Sequence, residues 1–334
     1  MTFDDRVAND IKPEFEERML KLLNGDKDDY QKFRLCISTH PLSSIRCNTL
    51  KITPDALKKK LESKGWKIHQ YSPDNPEIMI ILNDLQPGEI GRAEEHLLGY
   101  YYVQEISSML PLLALKPQPG EKFFDCCAAP GSKTTQAAAL MDNSGMILAN
   151  DNSLGRIKVL ASNLERCGVV NTIVSREDGL MLGNKLANRS DLRFDKVLAD
   201  VPCTGEGTLR SSPSSAGSWS LKAIESFSKR QMMIAESALR LLKVGGLMVY
   251  STCTHGPEEN EVVVNYLLNN FDVELVPFNL PLKTRPGITE WGGVEFHPSL
   301  KYCARVYPHD NNTEGFFVSL IKKNSDNKNV GWKK

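Results

Sequence analysis

Residues 122–141 read KFFDCCAAPGSKTTQAAALM. KFFDCCA (122–128) is an apolar, aromatic run of strand length. SKTTQAAALM (132–141) is alanine-rich and helical, and Pro130 and Gly131 stand between the two. A strand that turns through glycine directly into a helix is the opening unit of a parallel α/β sheet. The same alternation continues downstream. GMILAND (145–151), NTIVSRED (171–178), FDKVLADVP (194–202) and LMVYSTC (247–253) read as strands. LGRIKVLASNLERCG (154–168), LKAIESFSKRQMMIAESALRLLKVGG (221–246, with a Gly-Gly stop) and PEENEVVVNYLLNNF (257–271) read as helices. The expected architecture is an α/β fold with a mostly parallel sheet and helices on both faces.

Upstream the pattern differs. Residues 4–23 carry Ile11, Phe15, Met19, Leu22 and Leu23 near helical spacing. SIRCNTLKI (44–52) reads as a strand. TPDALKKKLESKGW (53–66) is a helix capped by Thr53, with Pro54 at its first position. KIHQYS (67–72) and IMIIL (78–82) are short strands, and the turn-rich NDLQPGEIG (83–91) closes a small α/β unit. This gives three parts: an N-terminal helical and small α/β unit over 1–95, a large domain over 96–323, and a flexible basic tail over 324–334.

Composition narrows the function classes. The chain has 334 residues, 41% hydrophobic and 25% charged, as an ordinary globular protein does. No run approaches the ~18 apolar residues of a membrane helix. The start, MTFDDRVANDIKPEFEE, has no apolar core for a signal peptide. The eight cysteines form no CxxC pair and no zinc-site spacing, so no metal is expected. Scattered cysteines without a secretory signal suggest a reducing compartment, and the expected location is cytoplasmic. Lys+Arg and Asp+Glu each number 41. Zero net charge argues against a broadly basic nucleic-acid binder but leaves room for a local basic face, such as residues 46–67.

In an open α/β sheet, ligands bind beyond the carboxyl ends of the strands. The residues there are Cys126 to Lys133, Asp151, Asp178, Asp200 to Gly205, and Ser251 to His255. The DCCAAPGSKT turn is neither a Walker loop nor GxGxxG. Alone it could be an ordinary strand-to-helix turn, although its glycine lets backbone approach a ligand at a helix N-terminus. Asp151 stands 20 residues after Gly131, where an acid can accept from ribose hydroxyls. Asp178 could meet a base. Either acid alone reads as a helix cap, but both in order after that turn point to a nucleoside-bearing ligand.

Two thiols follow, Cys203 behind Asp200 and Pro202, and Cys253 at the end of LMVYSTC. A thiolate can add to C6 of a pyrimidine when the ring is activated near N3, which makes C5 nucleophilic toward an activated methyl group. Asp200 supplies the acid, and Cys203 or Cys253 the thiol. Buried core cysteines are the plainer use of such residues. The residues do not choose between the thiols. Nor do they identify a base for the C5 proton; His255 is a loop histidine or faces the same way as Cys253.

The segments RCNTLK (46–51), YVQEISSMLP (102–111), DCCAAPGSKT (125–134), AND (149–151) with Arg156, EDG (177–179), DVPCTGEGT (200–208), YSTCTHGPEENE (250–261) and EGFFVSLIKK (314–323) carry a resemblance. The chain resembles the S-adenosylmethionine-dependent RNA cytosine-5 methyltransferases of the NOL1/NOP2/Sun (RsmB/NOP) family, the archaeal tRNA enzymes among them, from about Arg46 to Lys322. The resemblance implies a class I Rossmann-like methyltransferase domain and an RNA-recognition-motif-like N-terminal unit. It implies that Cys127, Ala128, Ala129, Pro130, Gly131, Ser132, Lys133, Asp151, Arg156, Asp178 and Asp200 bind S-adenosylmethionine or flank its methyl. It makes Cys253 the C6 nucleophile and Cys203 the thiol that assists breakdown of the adduct. Asp200 would meet the cytosine near N3 or N4, with Lys133 reaching the same region. Arg46, Lys51 and Arg210 are the expected RNA contacts. Tyr100, Tyr101 and Tyr102 are candidates for stacking on flanking bases, though core packing is the commoner use.

Three departures from the family pattern stand out: Ser132 and Val201 replace a usual Gly and Ala, and LRSSPSSAGSWS (209–220) replaces a basic segment. The last leaves substrate choice open. The expected function is methylation of C5 of cytosine in RNA, tRNA first and rRNA as the alternative, by a monomer with or without a protein partner for RNA recognition. A non-catalytic RNA-binding assembly factor and a DNA cytosine methyltransferase are rivals. The latter would use Cys203 as nucleophile.

Overall fold

Strand β5 (Lys122–Asp125) lies at the centre of the large sheet, between β6 (Met146–Asp151) and β8 (Phe194–Asp200), and is parallel to both. β7 (Thr172–Arg176) continues outward beyond β6, and β9 (Leu242–Thr252) beyond β8, again in parallel. The computed structural model describes residues 11–327, except 187, 188, 190 and 191. The expected helix over 4–23 is therefore described only from residue 11, and the tail beyond 327 lies outside the described residues.

Successive strand residues point to opposite faces. Phe123, Leu198, Val249 and Val318 pack on one face with the helices Leu110–Leu115, Ser132–Leu140 and Leu154–Cys167. Phe124, Val197, Ala199 and Tyr250 pack on the other with the helices Leu221–Leu241 and Glu261–Asn270. Both faces are covered, which is why these strands read as unbroken apolar runs.

Two expected boundaries move. The long helix stops at Leu241, and β9 begins at Leu242 because Leu242 pairs with Phe194. The helix expected over 257–271 starts at Glu261. Its first four residues form a turn in which Asn260 accepts from Thr252 Oγ1 at 2.5 Å and donates to Thr254 O at 3.0 Å.

Beyond residue 271 the sequence reading named no strands. The structure adds β10 (Val273–Leu275), β11 (Arg285–Pro286), the β12–β13 pair (Glu290–Trp291, Val294–Glu295), β14 (Ala304–Val306) and β15 (Phe316–Lys323). β15 runs antiparallel to β9, with Phe317 opposite Thr252. The strand order β11-β14-β15-β9-β8-β5-β6-β7 makes the sheet mixed but mostly parallel at its centre.

The small unit is an antiparallel sheet of order β2-β3-β1-β4, from β1 (Ser44–Cys47), β2 (Ile68–Ser72), β3 (Asn75–Ile81) and β4 (Tyr101–Val103). The helix Pro54–Ser63 buries Leu57 and Leu61 against Ile45, Met79 and Trp66. β4 pairs with β1, so this sheet extends past the boundary expected at residue 95.

The preceding helices, Pro13–Leu22 and Lys27–Ile37, do not join that unit. Phe15, Met19, Phe33 and Ile37 instead pack on Leu209, Ala216, Trp219 and Tyr307 of the large domain. Asp26 caps the second helix by accepting from the amides of Asp28 and Asp29 at 2.9 and 3.0 Å. Asp26→Ala is expected to cost about 1 kcal/mol, read as a lower urea midpoint with an unchanged slope. An unmoved midpoint would mean that water replaces the cap at no cost.

Candidate active site

The sheet grows from β5 toward β6 and β7, then switches sides to β8 and β9. Ligands settle at such a switch, beyond the carboxyl ends of the strands. Asp125 ends β5, Asp151 ends β6, Asp200 ends β8 and Thr252 ends β9. The strands are parallel, so the segments expected at one edge are all brought there.

Asp200 and Ser251 are register partners on β8 and β9, and Ser251 Oγ donates to Asp200 Oδ1 at 2.8 Å. Lys133, in the first turn of the helix after Gly131, reaches Asp200 Oδ2 at 2.7 Å and donates to Ser108 Oγ at 2.9 Å. Cys203 Sγ and Cys253 Sγ lie 3.1 Å apart. Lys133, Asp200, Val201, Cys253, Glu105, Ser108, Ser211 and Glu314 share the wall of one cavity of about 220 Å³.

The thiols differ in setting. Contact with Cys253 and burial hold the Cys203 thiol well above its ordinary range. A thiol kept protonated is a poor nucleophile, so Cys203 is the less suited of the two to attack.

The loops holding these thiols are tied from behind. Glu259 accepts from Thr204 N and Thr204 Oγ1 at 3.0 and 2.5 Å, and from Gln231 Nε2 at 2.8 Å. Burial pushes its carboxyl up to about 7. Glu206 accepts from Trp219 Nε1, Thr254 Oγ1 and His255 N. Gly207 N donates to Cys253 O at 2.9 Å, and a Cβ on Gly207 would stand 2.5 Å from Gly315 O, so that crossing demands glycine. His255 lies in aromatic packing, stacked on Tyr307 with centroids 5.1 Å apart. Burial pushes its pKa down to about 3, so it stays a neutral imidazole outside the cavity wall.

On the β5–β6 side, Gly131 opens a helix with φ +105, and a Cβ there would press on Leu160 at 3.0 Å. Asp151 is buried and accepts from Ser153 N at 3.0 Å. Arg156 spans the edge, pairing with Asp151 at 3.3 Å and donating to Ala129 O. Asp178 caps its own helix through Leu180 N at 2.9 Å and pairs with Arg230 at 3.4 Å. Asp125 Oδ1 is buried without a partner, while Thr134 Oγ1 donates to Oδ2 at 2.7 Å. Acids that can accept from hydroxyls and an ammonium, beside a close backbone turn, fit S-adenosylmethionine.

The sequence model of the family described as 16S rRNA methyltransferase RsmB/F matches residues 112–322. That for the N-terminal domain of 16S rRNA methyltransferase RsmF matches 11–106. The chain belongs to the RsmB/F methyltransferase family.

Members of this RsmB/F family are S-adenosylmethionine-dependent RNA cytosine-C5 methyltransferases. Ribosomal RNA small subunit methyltransferase F of Erwinia tasmaniensis is 39% identical over 317 residues, 93% of this chain and 63% of that protein. Its counterpart in Vibrio cholerae is 41% identical over 84% of this chain and 57% of its own length. The chain thus spans only 57% to 63% of these ribosomal relatives. The tRNA (cytosine(49)-C(5))-methyltransferase of Pyrococcus abyssi is 37% identical over 94% of this chain and 99% of its own. The crystal structure of a methyltransferase homolog protein from Pyrococcus horikoshii superposes with a TM-score of 0.79. It is 35% identical and covers 94% of this chain and 100% of that one.

The expected RNA contacts need correction. Arg46 is 2% exposed and donates to Ser132 O at 2.7 Å and Thr135 Oγ1 at 2.8 Å, with a further bond to Gln104. It joins the small sheet to the helix after Gly131. Arg210 is 1% exposed and donates to Thr39 O, His40 O, Thr313 O and Asn312 Oδ1. Lys51 is exposed, and its ammonium donates to Leu98 O and Arg166 O at 2.9 and 2.8 Å, which leaves one donor for solvent. Carbonyls freed at turns and helix ends attract cations as phosphate does, and sequence alone cannot separate the two uses. Tyr101 and Tyr102 are core residues, their hydroxyls donating to Ile90 O and Pro130 O.

The sequence reading gave no role to Glu105, Ser108, Glu206, Glu259 or Glu314. Each lies within a segment that carried the resemblance, but nothing in a one-dimensional pattern says which of its polar residues face the cavity.

Proposed function

We propose that the chain methylates C5 of a cytosine in RNA, with tRNA as substrate, through a covalent bond from Cys253 to C6. The pair of thiols 3.1 Å apart at the cavity that holds the Asp200–Lys133 ion pair carries this reading. At about 220 Å³ the cavity is smaller than the ~300–1,000 Å³ of extended-ligand sites, a size for one base turned out of its stack. Cys253 supplies the nucleophile. Asp200, fixed by Lys133 and Ser251, meets the ring near N3 or N4. Cys203, held protonated, serves departure of the thiol from C6. Cys127 to Lys133, Asp151, Arg156 and Asp178 hold S-adenosylmethionine, which supplies an electrophilic methyl when bound.

A relative named for tRNA, 37% identical over 94% of this chain, supports that substrate. Transcripts of tRNA and of small-subunit rRNA carrying 5-fluorocytosine, mixed with protein and S-adenosylmethionine, test it. A denaturation-resistant adduct with tRNA is expected. An adduct with rRNA alone reassigns the substrate, and none with either RNA overturns the reading.

Asp151→Asn is expected to raise the Kd for S-adenosylmethionine about 10- to 100-fold, since bonds to a charged acceptor are worth ~1.5–3 kcal/mol. Calorimetric titration measures this, and a change under threefold would remove Asp151 from the cofactor site. The reading includes a cytoplasmic monomer. The eight cysteines are all free, as a reducing compartment keeps them. Among the described residues no helix is long and apolar enough to cross a membrane.

A further inference from the structure

Three carboxylates line the catalytic cavity, Asp200, Glu105 and Glu314. Two of them are fully engaged. Asp200 gives one oxygen to Lys133 and the other to Ser251. Glu105 accepts from Ser107 N at 2.7 Å, Ser108 N at 3.3 Å and Ser107 Oγ through Oε2, and from Glu314 N at 3.1 Å through Oε1. Glu314 is different. Ser211 N donates to its Oε1 at 2.8 Å, but its Oε2 is buried with no partner, in a side chain only 3% exposed. A buried oxygen without a partner is costly, and its persistence in a cavity points to a ligand that completes it.

Its position in the sheet says which part of the ligand. Glu314 precedes β15, which pairs with β9 beside Cys253. The residues fitted to the methyl donor end β5 and β6, on the opposite side of β8 and β9. A methyl group that reaches C5 from the β5–β6 side turns the C5 hydrogen toward β15.

We propose that Glu314 is the general base that removes the C5 proton and so releases the methylated cytosine from Cys253. This rests on the proposed cytosine-5 reaction. Glu314 Oε2 takes the proton, and the C5–H electron pair becomes the C5=C6 double bond. The C6–S bond breaks, and its pair returns to Cys253 as thiolate. Burial pushes the Glu314 carboxyl up to about 7, with the charge of Glu105 adding to the effect. A carboxylate in that range is a far better base than one at its ordinary value, and it is still ionised in a useful fraction near neutral pH. Apart from the two engaged carboxylates, the Cys253 nucleophile and Lys133, the other polar side chains on the wall are those of Ser107, Ser108, Thr208 and Ser211, which are hydroxyls and weak bases.

The test is a single-turnover reaction of wild type, Glu314→Gln and Glu314→Asp with tRNA carrying tritium at cytosine C5 and S-adenosylmethionine labelled in its methyl. Glutamine keeps the acceptor for Ser211 N, and a thermal melt reports folding. With Glu314→Gln, tritium release is expected to fall about 100-fold. Methyl transfer should fall much less, and methylated RNA should stay bound to protein on a denaturing gel. Glu314→Asp should restore part of the release. If tritium release and methyl transfer fall in parallel without a trapped adduct, or neither falls, Glu314 is not the base. A Glu314→Gln protein that melts well below wild type makes Glu314 structural and overturns the proposal. A wild type that transfers no methyl and traps no RNA defeats the underlying reaction, and this proposal with it.

Discussion

Cys253→Ala is expected to abolish methyl transfer, with a loss on the order of 10⁴-fold or more, and to leave no RNA attached to protein. Without the thiolate, C6 takes no nucleophile, C5 gains no electron density, and no other sulfur can substitute. Cys203 is 3.1 Å away, but contact and burial hold its thiol protonated. Cys203→Ala is expected to do the opposite. Addition and methylation proceed, departure from C6 slows, and RNA accumulates on the protein with a methyl group in place. Denaturing gels of both variants with unmodified tRNA read the difference directly. Adduct from Cys253→Ala and none from Cys203→Ala would invert the roles and favour the arrangement of a DNA-type enzyme.

Glu261→Gln is expected to lower stability by about 3–5 kcal/mol, a fall in Tm of roughly 10 °C. Glu261 is buried, and Arg305 grips it through Nε and Nη2 at 2.6 and 2.5 Å. Arg305 also donates to His255 O at 2.9 Å, and Ile288 N donates to Glu261 Oε1 at 3.1 Å. The pair clamps the start of the helix Glu261–Asn270, strand β14 and the loop that follows Cys253. Removing one charge leaves the other buried and uncompensated. The double replacement Glu261→Leu with Arg305→Met should recover most of the loss, because well-packed apolar groups do not incur that desolvation penalty. A single variant that melts within 2 °C of wild type would show the clamp to be redundant.

The central sheet was legible because its strands are buried on both faces and its helices alternate with them. Segment types survived even where ends moved, as at Leu241. The antiparallel β14 and β15 were not legible as strands from that alternation, because only the four-residue helix Pro308–Asn311 separates them, too short to read as a helical period. The clustering of Gly131 and Asp151 at one edge of the sheet was legible, because their positions follow from topology. The RNA contacts were not. Arg46 and Arg210 carry charges that suit phosphate equally well, and only the fold shows those charges spent on Ser132, Thr39 and Thr313. Glu314 was hidden for the opposite reason, since an acid at a strand start usually faces water.

The first two helices meet the large domain through the stretch 209–219 and through Glu258, Arg285, Tyr307 and His309. Lys12 donates to Trp219 O at 2.6 Å, Phe15 meets the Trp219 ring edge-on at 5.7 Å, and Arg210 holds the carbonyls of Thr39 and His40. Ser211 of the same stretch reaches the cavity that Asp200 and Cys253 line. In domain grafting, these two segments must be exchanged together, with Glu258 and Arg285 kept as the partners of Arg18 and Asp29. A chimera that imports a relative's version of 209–220 to change substrate choice must import that relative's 12–40 with it. The natural cut sites fall at residue 40 and after residue 220, not at the border between the two sheets.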